Sequence, residues 1–194
     1  AMNGFTCCNG TALESQTKLQ DTIYFHSADQ RALYVNRFIP STLDWTARRI
    51  KVQQITDFPY ADTTRLVIRG GGRFDLRIRV PGWATHGFFV KLNGRDHAVK
   101  ATPATYLTLS REWRDGDTVE LRMPFSFRLD PIVDQPNVAS LFYGPVLLAA
   151  DEAAPRTDFR RVAIDLKDPA RSIKGDAAAL RLSADGASFR PFYE

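Results

Sequence analysis

Residues 73–80 place apolar and charged side chains in strict alternation. Phe74, Leu76, Ile78 and Val80 would point to one side of a strand, while arginines and an aspartate occupy the positions between them. A β-strand requires this period of two when one of its faces is buried and the other is in water. The segment therefore predicts a strand at the surface of a two-layered β-fold.

Similar short apolar runs extend from Thr22 to Ala149 and are separated by turn signals. Asn93-Gly94 is the strongest two-residue hairpin signal, and Asp115-Gly116 is a second turn between strand-like runs. Many short strands with regular turns predict a mainly β protein, an antiparallel β-sandwich or barrel. We favour the sandwich, and no repeat period suggests a propeller.

A helix signal precedes the strands. Thr11-Ala12-Leu13-Glu14 matches the capping box, in which a threonine at the N-cap and a glutamate three residues later satisfy free amides of the first turn. The pattern predicts a short helix from about Ala12 to Gln20. A capping role is sufficient to explain Glu14, and we favour this role over that of a catalytic carboxylate. The positive end of such a helix would stabilise thiolates just before it.

Charge and hydropathy exclude several classes of protein. With 44% hydrophobic and 25% charged residues, the chain has the composition of a globular domain with a buried core. It has no apolar run long enough to cross a bilayer and no secretion signal at its start, so no membrane partner is expected. The net charge is only +4, and the arginines are scattered along predicted strands, as at Arg65, Arg69, Arg77 and Arg79. This pattern does not predict a nucleic-acid partner.

Both cysteines of the chain are adjacent, at Cys7 and Cys8. A disulfide between neighbouring residues is disfavoured because it forces a strained ring. Three interpretations remain open from the residues alone. The pair could be small buried apolar residues, a redox pair without the usual spacer, or thiolate ligands of a zinc ion.

Histidines and tryptophans give weaker signals. His26, His86 and His97 are dispersed at turn-like positions without metal-ligand spacing, so surface or structural roles are expected. The tryptophans, with the many phenylalanines and tyrosines, could form a sugar-binding platform, but packing in the core or between domains is favoured. Trp83 and Trp113 are the first candidates for an exposed aromatic face.

A series of motifs stands in a fixed order along the chain. Residues 5–14 (FTCCNGTALE) continue into 18–25 (KLQDTIYF), and residues 76–84 (LRIRVPGWA) follow. Leu92-Asn93-Gly94, Trp113 with Gly116-Asp117, and residues 144–149 (GPVLLA) complete the series. In this order the motifs closely resemble the β-L-arabinofuranosidase family, glycoside hydrolase family 127 and its relatives. The resemblance covers roughly Phe5 to Ala150.

The resemblance implies a larger protein with a zinc-dependent active site. The family combines an (α/α) helical barrel, which holds the active site, with C-terminal β-sandwich domains. Its members use a zinc-bound cysteine as the nucleophile of a retaining mechanism, with glutamates for acid/base and metal-binding roles. By motif position, Cys7 would be the nucleophile and a zinc ligand, and Cys8 a second zinc ligand.

Only six residues precede Cys7, however, whereas the family's other zinc ligands and most of its barrel lie upstream of the cysteine pair. We therefore expect this chain to be the C-terminal part of such an enzyme, with half of a zinc site and little or no hydrolysis of β-L-arabinofuranosides on its own. Expected partners are the missing barrel and an arabinose-containing oligosaccharide or glycoconjugate. Self-association through a surface left uncovered is also expected.

The predicted fold is thus a mainly β, antiparallel β-sandwich preceded by a short helical remnant of an (α/α) barrel. Residues 1–20 would be the end of the barrel, 21–150 the sandwich, and 151–194 a peripheral tail or the start of a further β-unit. The competing hypothesis is a non-catalytic module that binds carbohydrate or mediates oligomerisation.

Overall fold

A computed structural model describes residues 6–151 and 161–193 of the chain. Helix α1 spans Thr6–Lys18, and short 3-10 turns lie at Gln20–Thr22, Thr46–Arg48 and Pro169–Arg171. Sixteen strands are described, with these bounds: β1 Tyr24–His26, β2 Ala32–Val35, β3 Ser41–Trp45, β4 Ile50–Thr56, β5 Thr63–Arg69, β6 Gly72–Val80, β7 Phe89–Leu92, β8 Arg95–His97, β9 Thr105–Trp113, β10 Thr118–Arg122, β11 Phe127–Ile132, β12 Gln135–Tyr143, β13 Val146–Asp151, β14 Lys174–Asp176, β15 Arg181–Ala184 and β16 Ala187–Pro191.

The strands form three sheets. A four-stranded sheet has the order β1-β2-β6-β9, and a six-stranded sheet has the order β3-β4-β5-β10-β7-β8. The third sheet contains β11-β12-β13-β16-β15-β14. Strand pairs are antiparallel except β2 and β6, which run parallel. The prediction of a mainly β protein built from antiparallel sheets is confirmed, and whether α1 is a remnant of a helical barrel stays a prediction.

The first two sheets pack face to face as a sandwich. Phe74 of β6 makes an edge contact with Trp45 of the six-stranded sheet, at 5.5 Å between ring centroids. Phe74 also packs on Trp113 of its own sheet, at 5.6 Å, and the Trp113 indole N–H donates to the Phe74 carbonyl over 3.1 Å. Trp45 and Trp113 are both buried. The apolar positions of the alternating segment 73–80 are all buried here, as their period predicted.

A buried glutamine of the six-stranded sheet hydrogen-bonds to the segment between β2 and β3. Gln54 is 2% exposed, and its side-chain amide donates to the carbonyls of Arg37 (3.0 Å) and Ile39 (2.8 Å). These bonds satisfy backbone acceptors of the segment between β2 and β3, which has no ladder partners of its own. A polar residue at an inward position of β4 is thus explained by a loop far away in sequence.

Helix α1 begins earlier than predicted. It starts at Thr6 rather than near Ala12, so Thr11 lies inside the helix and the predicted N-cap there is wrong. The carbonyl of Thr11 accepts a bond from the Ser15 hydroxyl, and Glu14 pairs with Lys18 one turn later. The pattern misled because a threonine and a glutamate three residues apart also fit a helix interior, where an i,i+4 Glu–Lys pair is stabilising.

Both predicted turns are confirmed, and a single carboxylate links them. Asp117 accepts hydrogen bonds from the Asn93 side-chain amide (2.8 Å) and from the backbone N–H of Arg114 (2.9 Å), and Arg111 lies 3.5 Å away. The other end of the Asn93 side chain accepts from the backbone N–H of Thr118 over 2.7 Å. Asp117 and Asn93 therefore fasten the β7–β8 hairpin to the turn before β10.

The charge on Asp117 is stabilised even though the residue is buried. Burial by itself would raise the pKa of this carboxyl. The N–H of Arg114, the Asn93 amide and the nearby Arg111 outweigh it, so the pKa of Asp117 lies below its ordinary value. The ionised form is therefore the one that stabilises the fold.

The second compact unit contains β11–β16, together with the segments Pro59–Asp62 and Trp83–Phe88. Its core includes Leu141, Leu148, Leu182 and Phe189. In the tail, residues 181–184 form a strand, whereas residues 162–164 do not. The strands over 127–151 are hydrogen-bonded to β16 of the tail in one sheet, whereas the two-sheet unit ends at Arg122. The predicted domain division at residues 20 and 150 stays a prediction.

We predict that Asp117→Asn lowers the free energy of unfolding by about 2 kcal/mol near neutral pH, because it removes the charge from two hydrogen bonds and one ion pair. A group with a lowered native pKa stabilises the fold above its unfolded pKa, about 3.9 for aspartate, and loses that effect as the pH falls through the native pKa. The difference between wild type and variant should therefore shrink in acid.

Denaturant unfolding at a series of pH values measures this difference. The exposed Asp44 on β3 provides the matched control, because Asp44→Asn should change the stability by less than about 0.5 kcal/mol. A difference for Asp117→Asn that is equally large in strong acid and at neutral pH would contradict a role for the ionised carboxylate.

We predict a second effect on stability at Gly144, in the turn between β12 and β13. Gly144 has a φ of +53°, and a Cβ built there would lie 2.6 Å from the Phe125 ring. Gly144→Ala should therefore cost about 2–4 kcal/mol, the sum of overpacking and a left-handed backbone. Gly186 in the same unit has a φ of +72° and no atom within 4 Å of such a Cβ, so Gly186→Ala isolates the backbone cost. Equal losses in the two variants, measured by thermal or denaturant unfolding, would show that Phe125 does not oppose the added methyl group.

Candidate functional site

The cysteine pair lies within α1, whose described residues are Thr6–Lys18. The side chains of Cys7 and Cys8 lie outside the described residues, so their predicted roles as nucleophile and zinc ligands stay predictions. From Gly10 onward the described side chains of the helix are exposed, and Leu13 is 72% exposed.

Metal-ligating residues do not cluster within ranges 6–151 and 161–193. No group of three or more histidine, cysteine, aspartate or glutamate side chains there could hold a metal ion. His26 contacts the Gln30 side chain at 3.0 Å and stacks on Trp45 with centroids 6.4 Å apart. His97 lies exposed on β8.

The tryptophans have structural positions. Packing in the core, the favoured interpretation, is confirmed for Trp45 and Trp113, and the suggestion that Trp113 offers an exposed face is wrong. Trp83 packs edge-on against Phe125, with ring centroids 5.5 Å apart. No sugar platform is built from these three rings in the described part of the chain.

The outer face of the four-stranded sheet carries a polar network. Arg77 donates to the Tyr34 hydroxyl (2.7 Å) and to Asp75 (3.2 Å), and the Ser110 hydroxyl donates to Asp75 over 2.6 Å. The Ser110 hydrogen bond, followed by that of Arg77, holds the pKa of Asp75 below its usual range. Tyr106 packs edge-on against Tyr34 at 5.3 Å. Because these polar groups already bind one another, the network reads as a support for the sheet.

The outer face of the six-stranded sheet carries a cleft of about 1080 Å³. Outward side chains of neighbouring strands line it, among them Ile55 of β4, Arg65 of β5, Glu120 of β10 and Phe89 of β7. Phe89 is 54% exposed. The sequence pattern places Arg65 on a predicted strand and does not single out the other three residues. The alternating pattern shows that such residues point outward, but their assembly depends on a strand order that the pattern does not contain.

None of the helices in the described part of the chain is long and apolar enough to cross a membrane.

Residues 32–125 match the family model for the GH127 middle domain of β-L-arabinofuranosidases. Comparison with the curated proteins found no match. Among solved structures, one described as a glycoside hydrolase superposes with a TM-score of 0.65 at 25% identity, covering 76% of this chain and 25% of that one.

A GH127 β-L-arabinofuranosidase from Geobacillus stearothermophilus T6 gives a TM-score of 0.64 at 25% identity, covering 73% of this chain and 23% of that one. A GH127 β-arabinofuranosidase at 22% identity has the same fold over 66% of this chain and 23% of its own length, with a TM-score of 0.57.

The chain thus spans about a quarter of the length of the first two solved structures. The matched region contains the Asn93–Asp117 link and the buried Trp113, so the motif residues of this region hold the sandwich together. The resemblance predicted from the ordered motifs is confirmed: residues 32–125 match the GH127 middle domain, and the chain is similar to a solved GH127 β-L-arabinofuranosidase.

Proposed function

We propose that this chain is the β-sandwich portion of a retaining, cysteine- and zinc-dependent glycoside hydrolase that acts on β-L-arabinofuranosides. The observation that carries the proposal is the match of residues 32–125 to the GH127 middle domain. Superposition on the Geobacillus stearothermophilus β-L-arabinofuranosidase over 73% of the chain supports it. In this proposal the sandwich supports a helical barrel that the rest of the protein supplies.

The sandwich is suited to a supporting role by its internal bonding. Asp117, Asn93 and Gln54 use their side chains to fasten turns and loops, and the aromatic stack of Phe74 and Trp113 is buried. Residues held in this way keep a sheet face fixed in shape, which is what docking of a second domain requires.

Hydrolysis would depend on groups outside the described residues. Glycoside hydrolysis needs an acid/base group placed beside the nucleophile. Glu14, the carboxylate nearest to the cysteines in sequence, is paired with Lys18 on an exposed helix. We therefore propose that Cys7 acts as the nucleophile only where the barrel supplies the acid/base glutamate.

A zinc ion does not fit the donors of this chain as a closed site. Tetrahedral zinc takes four ligands, and Cys7 and Cys8 supply two thiolates. Among the residues whose side chains the structure describes, no cluster of three or more suitable groups offers the remainder. A complete site would require further ligands from the barrel, and zinc bound by this chain alone would be held weakly.

We predict no hydrolysis by the isolated chain. Purified protein incubated with zinc and a chromogenic β-L-arabinofuranoside should release no more chromophore than a blank with zinc alone, because the acid/base group is missing. Cys7→Ser is the matched control. Turnover by the wild-type chain that disappears in Cys7→Ser would contradict the supporting role and show a complete active site.

We also predict weak zinc binding. In competition with a chromogenic chelator, the reduced chain should bind zinc with a dissociation constant above roughly 1 μM, whereas closed structural sites gain about 10–16 kcal/mol from zinc. Cys7→Ser combined with Cys8→Ser should abolish what binding there is. Tight binding by the wild-type chain would overturn the half-site interpretation, and binding that survives the double substitution would place the metal elsewhere.

The reading frame upstream of Ala1 gives a genetic test of the proposal. The expected result is a continuous or adjacent frame that encodes a helical barrel with the missing cysteine and glutamates. Absence of any such frame beside this sequence would remove the basis for assigning the sandwich to a hydrolase of this kind.

A further inference from the structure

The cleft on the six-stranded sheet has the size of a ligand site. Its volume of about 1080 Å³ is just above the roughly 300–1,000 Å³ usual for small-molecule sites. All its lining residues belong to the first compact unit, which contains the four-stranded sheet and the six-stranded sheet of β3-β4-β5-β10-β7-β8. Except for Pro40 and Asp57, its lining residues stand on hydrogen-bonded strands.

One row of side chains crosses the floor of the cleft. Strand register places Ile55 beside Arg65, Arg65 beside Glu120, Glu120 beside Lys91, and Lys91 beside Asp96. The four charged residues of this row alternate in sign. Lys91 and Asp96 form a loose pair at 3.9 Å.

Two central members of the row are open to a ligand. Within the part of the chain that the structure describes, the side chains of Arg65 and Glu120 make no hydrogen bond or ion pair. This differs from the four-stranded sheet, where Arg77 and Asp75 bind each other and their neighbours. Arg65 and Glu120 place a fork of donors next to a carboxylate acceptor.

An apolar surface lies beside this row. Phe89 is 54% exposed, and the Arg122 guanidinium lies 5.8 Å from the centre of its ring. Ile55, which is 47% exposed, lies on the same face of the sheet at the other end of the charged row. An exposed ring on a rigid strand can pack against the C–H face of a sugar.

The charge balance selects the class of ligand. The lining contains three cationic side chains, Arg65, Lys91 and Arg122, and three anionic ones, Asp57, Asp96 and Glu120. A surface without net charge does not concentrate polyanions or polycations. Adjacent donors and acceptors suit hydroxyl groups, because each hydroxyl both donates and accepts.

We propose that this cleft binds a neutral oligosaccharide, with Phe89 packed on a sugar ring and the Arg65–Glu120 pair bound to its hydroxyls. Gln53 and Thr42, on the neighbouring strands β4 and β3, extend the polar lining. The site requires neither zinc nor Cys7, so its test is independent of hydrolysis.

Isothermal titration of the wild-type chain tests this proposal. The probes are neutral arabino-, xylo- and galacto-oligosaccharides, with heparin as the polyanion. Saturable binding of at least one neutral oligosaccharide and no binding of heparin is the expected result. Binding of none of the neutral probes, or of heparin alone, would overturn the proposal.

Substitutions of cleft residues test whether the oligosaccharide binds in the cleft. Glu120→Gln and Phe89→Ala should each weaken binding of the neutral oligosaccharide by about tenfold, the effect of losing one charged hydrogen bond or one packed ring. The matched controls lie on the outer face of the four-stranded sheet: Glu112→Gln makes the same charge change, and Phe25→Ala removes a ring that is 46% exposed. Both controls should bind as wild type does.

All four variants should unfold at the wild-type denaturant midpoint, because these side chains are exposed or half-buried. If a cleft variant is unstable, Arg65→Gln tests the same row from the neighbouring strand. Affinity unchanged in the folded cleft variants, or lost equally in the controls, would show that the sugar binds elsewhere and would refute the assignment.

Discussion

The stack of Trp45, Phe74 and Trp113 between two sheets is the contact on which the first unit depends. Phe74 meets one ring from the opposite sheet and one from its own, and the indole N–H of Trp113 is satisfied by the Phe74 carbonyl. A one-residue slip in the register of β6 would expose the Phe74 side chain to water and place charged side chains in the core. The stack therefore fixes register, and register decides which side chains face outward. The charged row across the six-stranded sheet follows from the burial of the opposite faces of its strands.

The motif residues in this part of the chain that resemble the family have structural roles. Asn93 and Asp117 join two turns, Trp113 is in the core, and Gly144 leaves space for the Phe125 ring. Each role demands one residue type: a carboxylate that accepts from several donors, an amide that both donates and accepts, a large ring, and a residue without a Cβ. Motifs of this kind are diagnostic of a fold even where no chemistry takes place at them. Glycosidase chemistry is therefore inferred from the family relationship and not from these positions.

Local patterns predicted the strands and turns well, because alternation and turn residues act over a few neighbours. The run from Phe74 to Val80, Asn93-Gly94 and Asp115-Gly116 are examples. The prediction was wrong where two local explanations compete, as for Thr11 and Glu14, which fit both a helix start and a helix interior. Local patterns do not predict which side chains from different strands lie together. Arg65 and Glu120 are neighbours only because β5 pairs with β10, and that pairing depends on the packing of the whole sheet.

The two roles proposed for the sandwich, support of a barrel and binding of a sugar, place different demands on its residues. A sandwich that only supports a barrel needs fixed shape, and its outward side chains are free to vary. The cleft has instead a rigid floor, a balanced set of charges and an exposed ring, features that support alone does not require. If the proposed enzyme binds a sugar there, the effective concentration of further sugar units near the proposed barrel would rise without any change in the catalytic groups. Weak binding would suffice for this effect, because tethering multiplies it, and it would also let a sugar chain move on after each cleavage in the proposed enzyme. The two proposed functions, support and sugar capture, would thus be compatible in one sandwich, since the first would use its buried residues and the second its outward ones.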